Sequence, residues 1–393
     1  MLLAKAATYL DSNAGAPLKS QVREALCSLF SGESGVLIPN PSSIHSHGRF
    51  AKRVLADARE KIARSLGPNT DPEQLVFTSS GSEANQLAIR SVLGPRLSRG
   101  DKPHWITTPM EHDSNLQMAN WVTQSGGKVS FLRVNPDGTP DILSISELLC
   151  PETALVSLVW VNNETGVISD LPAMTQKLQG LSIPLHVDAA QAWGKLPMDE
   201  QRIHAQFLTF SAHKIGGLAG AGGLYLERGN SVSAAILGKQ EKGRRGGTEN
   251  LLGIMAMGVA AGELKPQEWA GRVAPVRDRL QQEICQRIEG VQVNGSQAAR
   301  VANTLNLSFK GVEGEGLVLA LDLAGYCVSS GSACSSGVLA PSHVLLAMGL
   351  TRAQAMSAVR VSLADELPWE VLSGFVLALE KAVSRVRGVR SVP

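Results

Sequence analysis

FLTFSAHKIGG (residues 207–217) is a short apolar run that breaks off into a hydroxyl, an imidazole and an amine. The same construction recurs upstream. PLHVDAAQA (184–192) ends on a carboxylate, and LVSLVWVNNETG (155–166) on amides and a carboxylate. HWITTPMEHD (104–113) ends on Glu, His and Asp, and LVFTSSGSEAN (75–85) on hydroxyls and a glycine. Helical patterns, such as residues 49–66 and 83–93, separate several of these runs, and VSFLRV (129–134) reads as a further strand. The alternation predicts an α/β fold with a mostly parallel sheet covered on both faces. Ligands bind such sheets beyond the carboxyl ends of their strands, so runs that each deliver polar groups there describe one site.

A chain of 393 residues exceeds one ordinary core. After about residue 264 the texture changes to a polar helix (269–289), the extended NTLNLSF, a helix near Leu317 and the Gly/Ser-rich SSGSACSSG. Residues 17–264 are therefore expected to form a large domain, and 1–16 with 265–393 a smaller α+β domain. A balance of 37 basic and 35 acidic residues, with no basic run interleaved with aromatics, argues against nucleic acid as a partner. The longest strand-like run, 154–161, is far too short to cross a membrane. The first residues lack the apolar stretch of an export signal. The five cysteines are scattered, with no CxxC pair, so the expectation is a cytoplasmic protein without a disulfide framework or metal site. HSH (His45, His47) has no acidic or thiol companion to complete a metal site.

Individual residues carry competing meanings. TSSGSEAN suits a phosphate cradle, with Gly81 in a tight turn, Ser82 adding a hydroxyl and a helix beginning at about Glu83. The plainer reading is a helix cap by Ser80 or Ser82. Asp188 closes an apolar strand, where a carboxylate needs a cationic partner. A protonated pyridine nitrogen would be one, as in pyridoxal 5'-phosphate; otherwise Asp188 caps the next helix. Gln191 is placed to meet the phenolate oxygen of such a ring. Lys214, among glycines and apolar residues, suits an amine whose neutral form must be accessible for imine chemistry. A solvated loop lysine is its plain alternative. His112 reads as a lid over the ring or as a helix cap, and Asn163 as a ligand to phenolate or carboxylate or as a turn residue. Thr248, in GRRGGTEN, is a small hydroxyl suited to phosphate.

Together YLDSNAGAP (9–17), NPSSIHSHG (40–48), TSSGSEANQLAI (78–89), EHDS (111–114), VNNETGVISD (161–170), HVDAAQAWGK (186–195), SAHKIGG, RRGGTEN (244–250), SSGSACSSG (329–337) and VRVSL (359–363) resemble, in order and nearly end to end, a cysteine desulfurase of the class V aminotransferase family. The resemblance implies a fold-type I pyridoxal-phosphate enzyme and a homodimer. Lys214 would carry the cofactor and remove the substrate's Cα proton. Asp188 would pair with the pyridine nitrogen, Gln191 with the phenolate, and His112 would stack on the ring. Ser82, Ser211 and His213 would bind phosphate, with Thr248 supplied by the second subunit. Asn163 and Arg360 would hold the substrate carboxylate, Arg360 as a bidentate fork, with Asn13 close by.

Cys334, set among small residues that permit a mobile loop, decides the reaction. As a thiolate it would take sulfur from L-cysteine, releasing L-alanine and keeping a persulfide for an acceptor such as an iron–sulfur scaffold protein or a sulfurtransferase. The plain alternative is a small buried cysteine. A selenocysteine lyase or a transaminase of this fold, or a catalytically silent sulfur-relay protein, would use the same frame. Cys334 distinguishes the transaminase, which needs no thiol, and a colourless protein would mark the silent partner. Three departures from the family pattern stand out: Gly15 and Ala16 replace two threonines, the Pro-Lys after Gly216 is missing, and the end lacks the tail that some members use to dock a scaffold.

Overall fold

Seven strands build the larger sheet, in the order β2-β8-β7-β6-β5-β3-β4. They are β2 (Leu75–Thr78), β3 (His104–Thr107), β4 (Lys128–Phe131), β5 (Thr153–Val159), β6 (Leu185–Asp188), β7 (Phe207–Ser211) and β8 (Gly222–Leu226), following a short β1 (Thr8–Tyr9). The computed structural model describes residues 7–31, 38–198, 203–330 and 340–390. β7, β6, β5, β3 and β4 pair in parallel, as the alternation predicts. Every residue of β2, β3, β5, β6 and β7 is buried, the expected state of strands packed on both faces.

β8 was not foreseen. It runs antiparallel between β2 and β7, and GAGGLYL reads as a glycine loop. Its glycines are what let it in. A Cβ at Gly223 would lie 2.3 Å from the Phe210 ring, and one at Gly222 would lie 2.6 Å from the Ser80 carbonyl carbon. Gly222 pairs with both Thr78 and Ser211, so β8 brings the loop after β2 against the end of β7.

A second, antiparallel sheet has the order β12-β13-β10-β9: β9 (Val291–Val293), β10 (Thr304–Phe309), β12 (Ser329–Ser330) and β13 (Ala358–Ser362). The helices Pro266–Arg287 and Trp369–Arg390 cover it, around a separate core that includes Leu280, Leu307, Phe309, Val361 and Phe375. The N-terminal segment joins this unit. β1 pairs in parallel with β11 (Tyr326–Cys327), and Asp11 bridges to Ser362. Among the described residues no helix is long and apolar enough to cross a membrane.

Candidate active site

The carboxyl ends of β2, β5, β6 and β7 converge on one cavity of about 350 Å³, closed on its far side by Asn13 and Ala14 from the N-terminal segment and Arg360 from β13. Gly81, Ser82, His112, Asn163, Asp188, Gln191, Ser211, His213 and Lys214 line it as well. The site residues read from the sequence thus meet, with two exceptions. Thr248 is exposed and does not line this cavity. Cys334 lies outside the described residues.

Lys214 ends a single 3-10 turn, Ala212–Lys214, directly after β7. Its Nζ donates to the main-chain oxygens of Asn13 at 2.7 Å and Ala14 at 3.0 Å. Burial, and then the charge of Arg360, lowers its pKa to about 8, although Asp188 and Asp11 pull the other way. At pH 7 about a tenth of such amines are neutral, against about one in 2,500 for an ordinary lysine. The turn therefore presents an amine able to attack a carbonyl.

Asp188, the last residue of β6, is 5% exposed. Its Oδ1 accepts the Ala190 N–H at 3.0 Å and its Oδ2 accepts Asn85 Nδ2 at 2.7 Å. Both donors are neutral, so they hold the carboxylate in place and leave its charge directed at the cavity. Asn85, one turn into the helix Gly81–Ser98, is a site residue that sequence reasoning missed.

That helix starts at Gly81 instead of about Glu83, because Ser80 caps it, accepting the Glu83 N–H at 3.2 Å. Ser80 satisfies one N–H of the first turn, while Gly81 and Ser82 line the cavity at the positive end of the helix. A Cβ at Gly81 would meet the Ser211 side chain at 3.4 Å, an ordinary contact, so the first turn of the helix lies directly against the end of β7. Ser211 Oγ lies 3.0 Å from His213 Nδ1. Burial, then the charges of Lys214 and His112, lowers the His213 pKa to about 4, so at neutral pH it offers hydrogen bonds without charge.

His112 takes the plainer of its two readings. Its Nδ1 accepts the Ser114 N–H at 3.1 Å and so caps the helix Asp113–Gln124, while the residue lines the cavity. Arg360 is less open than a free fork. Its Nη2 donates to Asp11 Oδ1 at 2.6 Å and its Nη1 to the Asn163 carbonyl at 3.1 Å, leaving Nε buried without a partner. Asp11, part of YLDSNAG, went unweighed in the sequence because its partner is 349 residues away.

Glu111, next to His112, is fully buried and was also missed. Its carboxyl takes the Val159 N–H at 2.8 Å and Asn115 Nδ2 at 2.7 Å. Burial, with Asp188 adding to it, raises its pKa to about 8. The folded value exceeds the unfolded one, so the stability this group contributes is fully present below about pH 4.5 and is lost as pH rises through about 8. Glu111→Gln should therefore melt with the wild type near pH 4 and above it near pH 8.5, by about 3 °C or more. A melting difference that stays constant with pH would show a carboxyl ionising at its ordinary value.

The aminotransferase class-V family model matches residues 8–367. The chain belongs to that family. Within it the chain is 38% identical to the cysteine desulfurase of Trichormus azollae over 384 residues, covering 97% of this chain and 94% of that one. A solved NifS-like protein superposes with a TM-score of 0.87 at 29% identity, over 96% of this chain and 100% of that chain. SspA, solved in complex with cysteine, superposes with a TM-score of 0.79 at 29% identity, over 92% of this chain and 100% of its own. The family resemblance and the fold type read from the sequence are both borne out.

Class-V membership brings pyridoxal phosphate as the cofactor. The cavity fits it on its own terms: a buried carboxylate for a ring cation, a helix N-terminus for a phosphate, and a half-buried amine of lowered pKa for an aldehyde. When bound, pyridoxal phosphate supplies an electron sink that acidifies the substrate's Cα–H.

Proposed function

We propose that this class-V chain is a cysteine desulfurase that converts L-cysteine to L-alanine and leaves the sulfur on Cys334. The observation that carries the reading is the convergence of Lys214, Asp188 and Arg360 on one cavity, in a chain whose curated relatives are desulfurases. Overall, L-cysteine and a thiol become L-alanine and a persulfide: one C–S bond breaks, one S–S bond forms, and no outside oxidant is needed.

The residues divide the work. Lys214 Nζ takes the proton from the substrate's Cα, a role suited to a base whose pKa is lowered to about 8. With the cofactor bound, Asp188 would hold a positive charge at the ring nitrogen, Gln191 would meet the ring's anionic oxygen and His112 would cover the ring. Ser82, Ser211, His213 and the N–H groups at Gly81 hold the phosphate, joined by Thr248 from a second copy in a homodimer. Arg360 and Asn163 receive the substrate carboxylate beside Asn13, and the partnerless Arg360 Nε is a donor in reserve for it.

We place the boundaries of the two domains at 16/17 and 264/265. The free thiols of Cys27, Cys150, Cys285 and Cys327 suit a reducing cytoplasm. An acceptor protein for the sulfur completes the cycle.

The test is incubation of purified protein with L-cysteine and a thiol reductant, which releases persulfide sulfur as sulfide, reading alanine and sulfide. Cys334→Ala is expected to lose both by about 10²-fold or more, the scale of removing a covalent nucleophile. Equal sulfide from both proteins would reject the persulfide. Alanine formation untouched by the substitution would favour a lyase that needs no protein thiol, whereas a transaminase would make no alanine from L-cysteine.

A further inference from the structure

The turn after β6 sets a second lysine amine behind the cavity wall. Lys195 is 7% exposed and is not part of the lining that Gln191, Asn13 and Lys214 share. Its Nζ donates to Gln191 Oε1 and to Asn13 Oδ1, each at 2.6 Å. An ammonium has N–H bonds and no lone pair, so the groups that face it must present oxygen. Burial, then the charges of Lys214 and Arg360, holds this amine well below the usual lysine range. Even when neutral it has two N–H bonds for two oxygens.

A carboxamide carries its acceptor on one side and its donors on the other, so holding the oxygen aims the donors. With Oε1 held by Lys195, Gln191 Nε2 turns the opposite way and donates to the Asn13 carbonyl at 2.8 Å. That same carbonyl receives Lys214 Nζ. Asn13 is oriented likewise. Its Oδ1 accepts Lys195 and Asn303 Nδ2, which directs its own Nδ2 to the Asn163 carbonyl and Thr304 Oγ1.

We infer that Lys195 is a positioning residue of this site: held to both amide oxygens, it turns the N–H side of Gln191 toward the cavity and toward the amine of Lys214. The ligand feature so recognised is an anionic ring oxygen, and the inference rests on the cofactor reading above. An amide free to turn over would put its own carbonyl against that oxygen and repel it.

The test uses the holoenzyme and follows the visible absorption of its bound cofactor as pH is varied. Lys195→Met is expected to raise the pH of the spectral transition by about one unit, because a ring oxygen that loses its donor keeps the neighbouring proton longer. Lys195→Gln, which still offers an N–H, should shift it less. In a Gln191→Ala background Lys195→Met should add nothing, since the group through which it acts is gone. Should Lys195→Met fail to fold, Lys195→Gln, Gln191→Ala and their double variant give the same cycle, with non-additive shifts expected.

A Lys195→Met shift that persists in full without the Gln191 side chain overturns the inference, leaving only a charge effect. An unshifted transition overturns it too. A colourless wild-type protein overturns the cofactor reading and the inference with it, whereas a coloured protein indifferent to Lys195 overturns the inference alone.

Discussion

Lys214→Ala is expected to abolish alanine formation from L-cysteine and to leave no cofactor covalently attached to the protein. Two proposed contributions would vanish together, the attachment point and the base at Cα. General-base removal alone costs about 10²–10⁴-fold. The fold should survive, because the lost amine anchors just the carbonyls of Asn13 and Ala14. Those hydrogen bonds are worth about 1–3 kcal/mol in total. The check is alanine production alongside the melting curve. Lys214→Arg keeps the charge and the reach but cannot attack a carbonyl, so it should fail in the same way. Turnover within a few-fold of wild type in either variant would remove Lys214 from the chemistry.

Asp188→Asn should lower kcat by about 10²–10³-fold, the scale seen when a preorganised electrostatic partner is removed. The substitution is nearly isosteric. An asparagine oxygen still accepts one N–H, and the Asn85 carboxamide, whose Oδ1 has no partner, can turn over to accept from the new amide. The packing should therefore persist while the negative charge goes. KM for L-cysteine should change little, since the carboxylate is proposed to meet the cofactor ring and not the substrate. Measuring kcat and KM separately makes the distinction: a loss confined to KM would assign Asp188 to substrate binding.

How much of this could be read from residues alone depended on the range of the interactions. Apolar runs that end in polar groups announce buried parallel strands, so β2, β3, β5, β6 and β7 and the residues just beyond them were legible. β8 was not, because Gly222 and Gly223 make a strand look like a loop, and the reason for those glycines is contact with Ser80 and Phe210. Lys214, Asp188, His112 and Ser211 were found because each sits at or just after a strand end. Asp11 and Lys195 escaped notice because they act across the chain, Asp11 on a residue 349 positions away and Lys195 on Asn13, 182 positions away. Glu111 escaped for another reason. A glutamate beside a histidine reads as a surface pair, and its complete burial appears only once Val159 and Asn115 are folded against it.

Central to all of this is a single covalent attachment at the mouth of the larger sheet. Reducing the purified holoenzyme with borohydride and mapping its peptides by mass tests it directly. A pyridoxyl group is expected on the peptide that contains Lys214. An adduct on Lys195 or another lysine instead, or no adduct in a protein that still makes alanine, would contradict it.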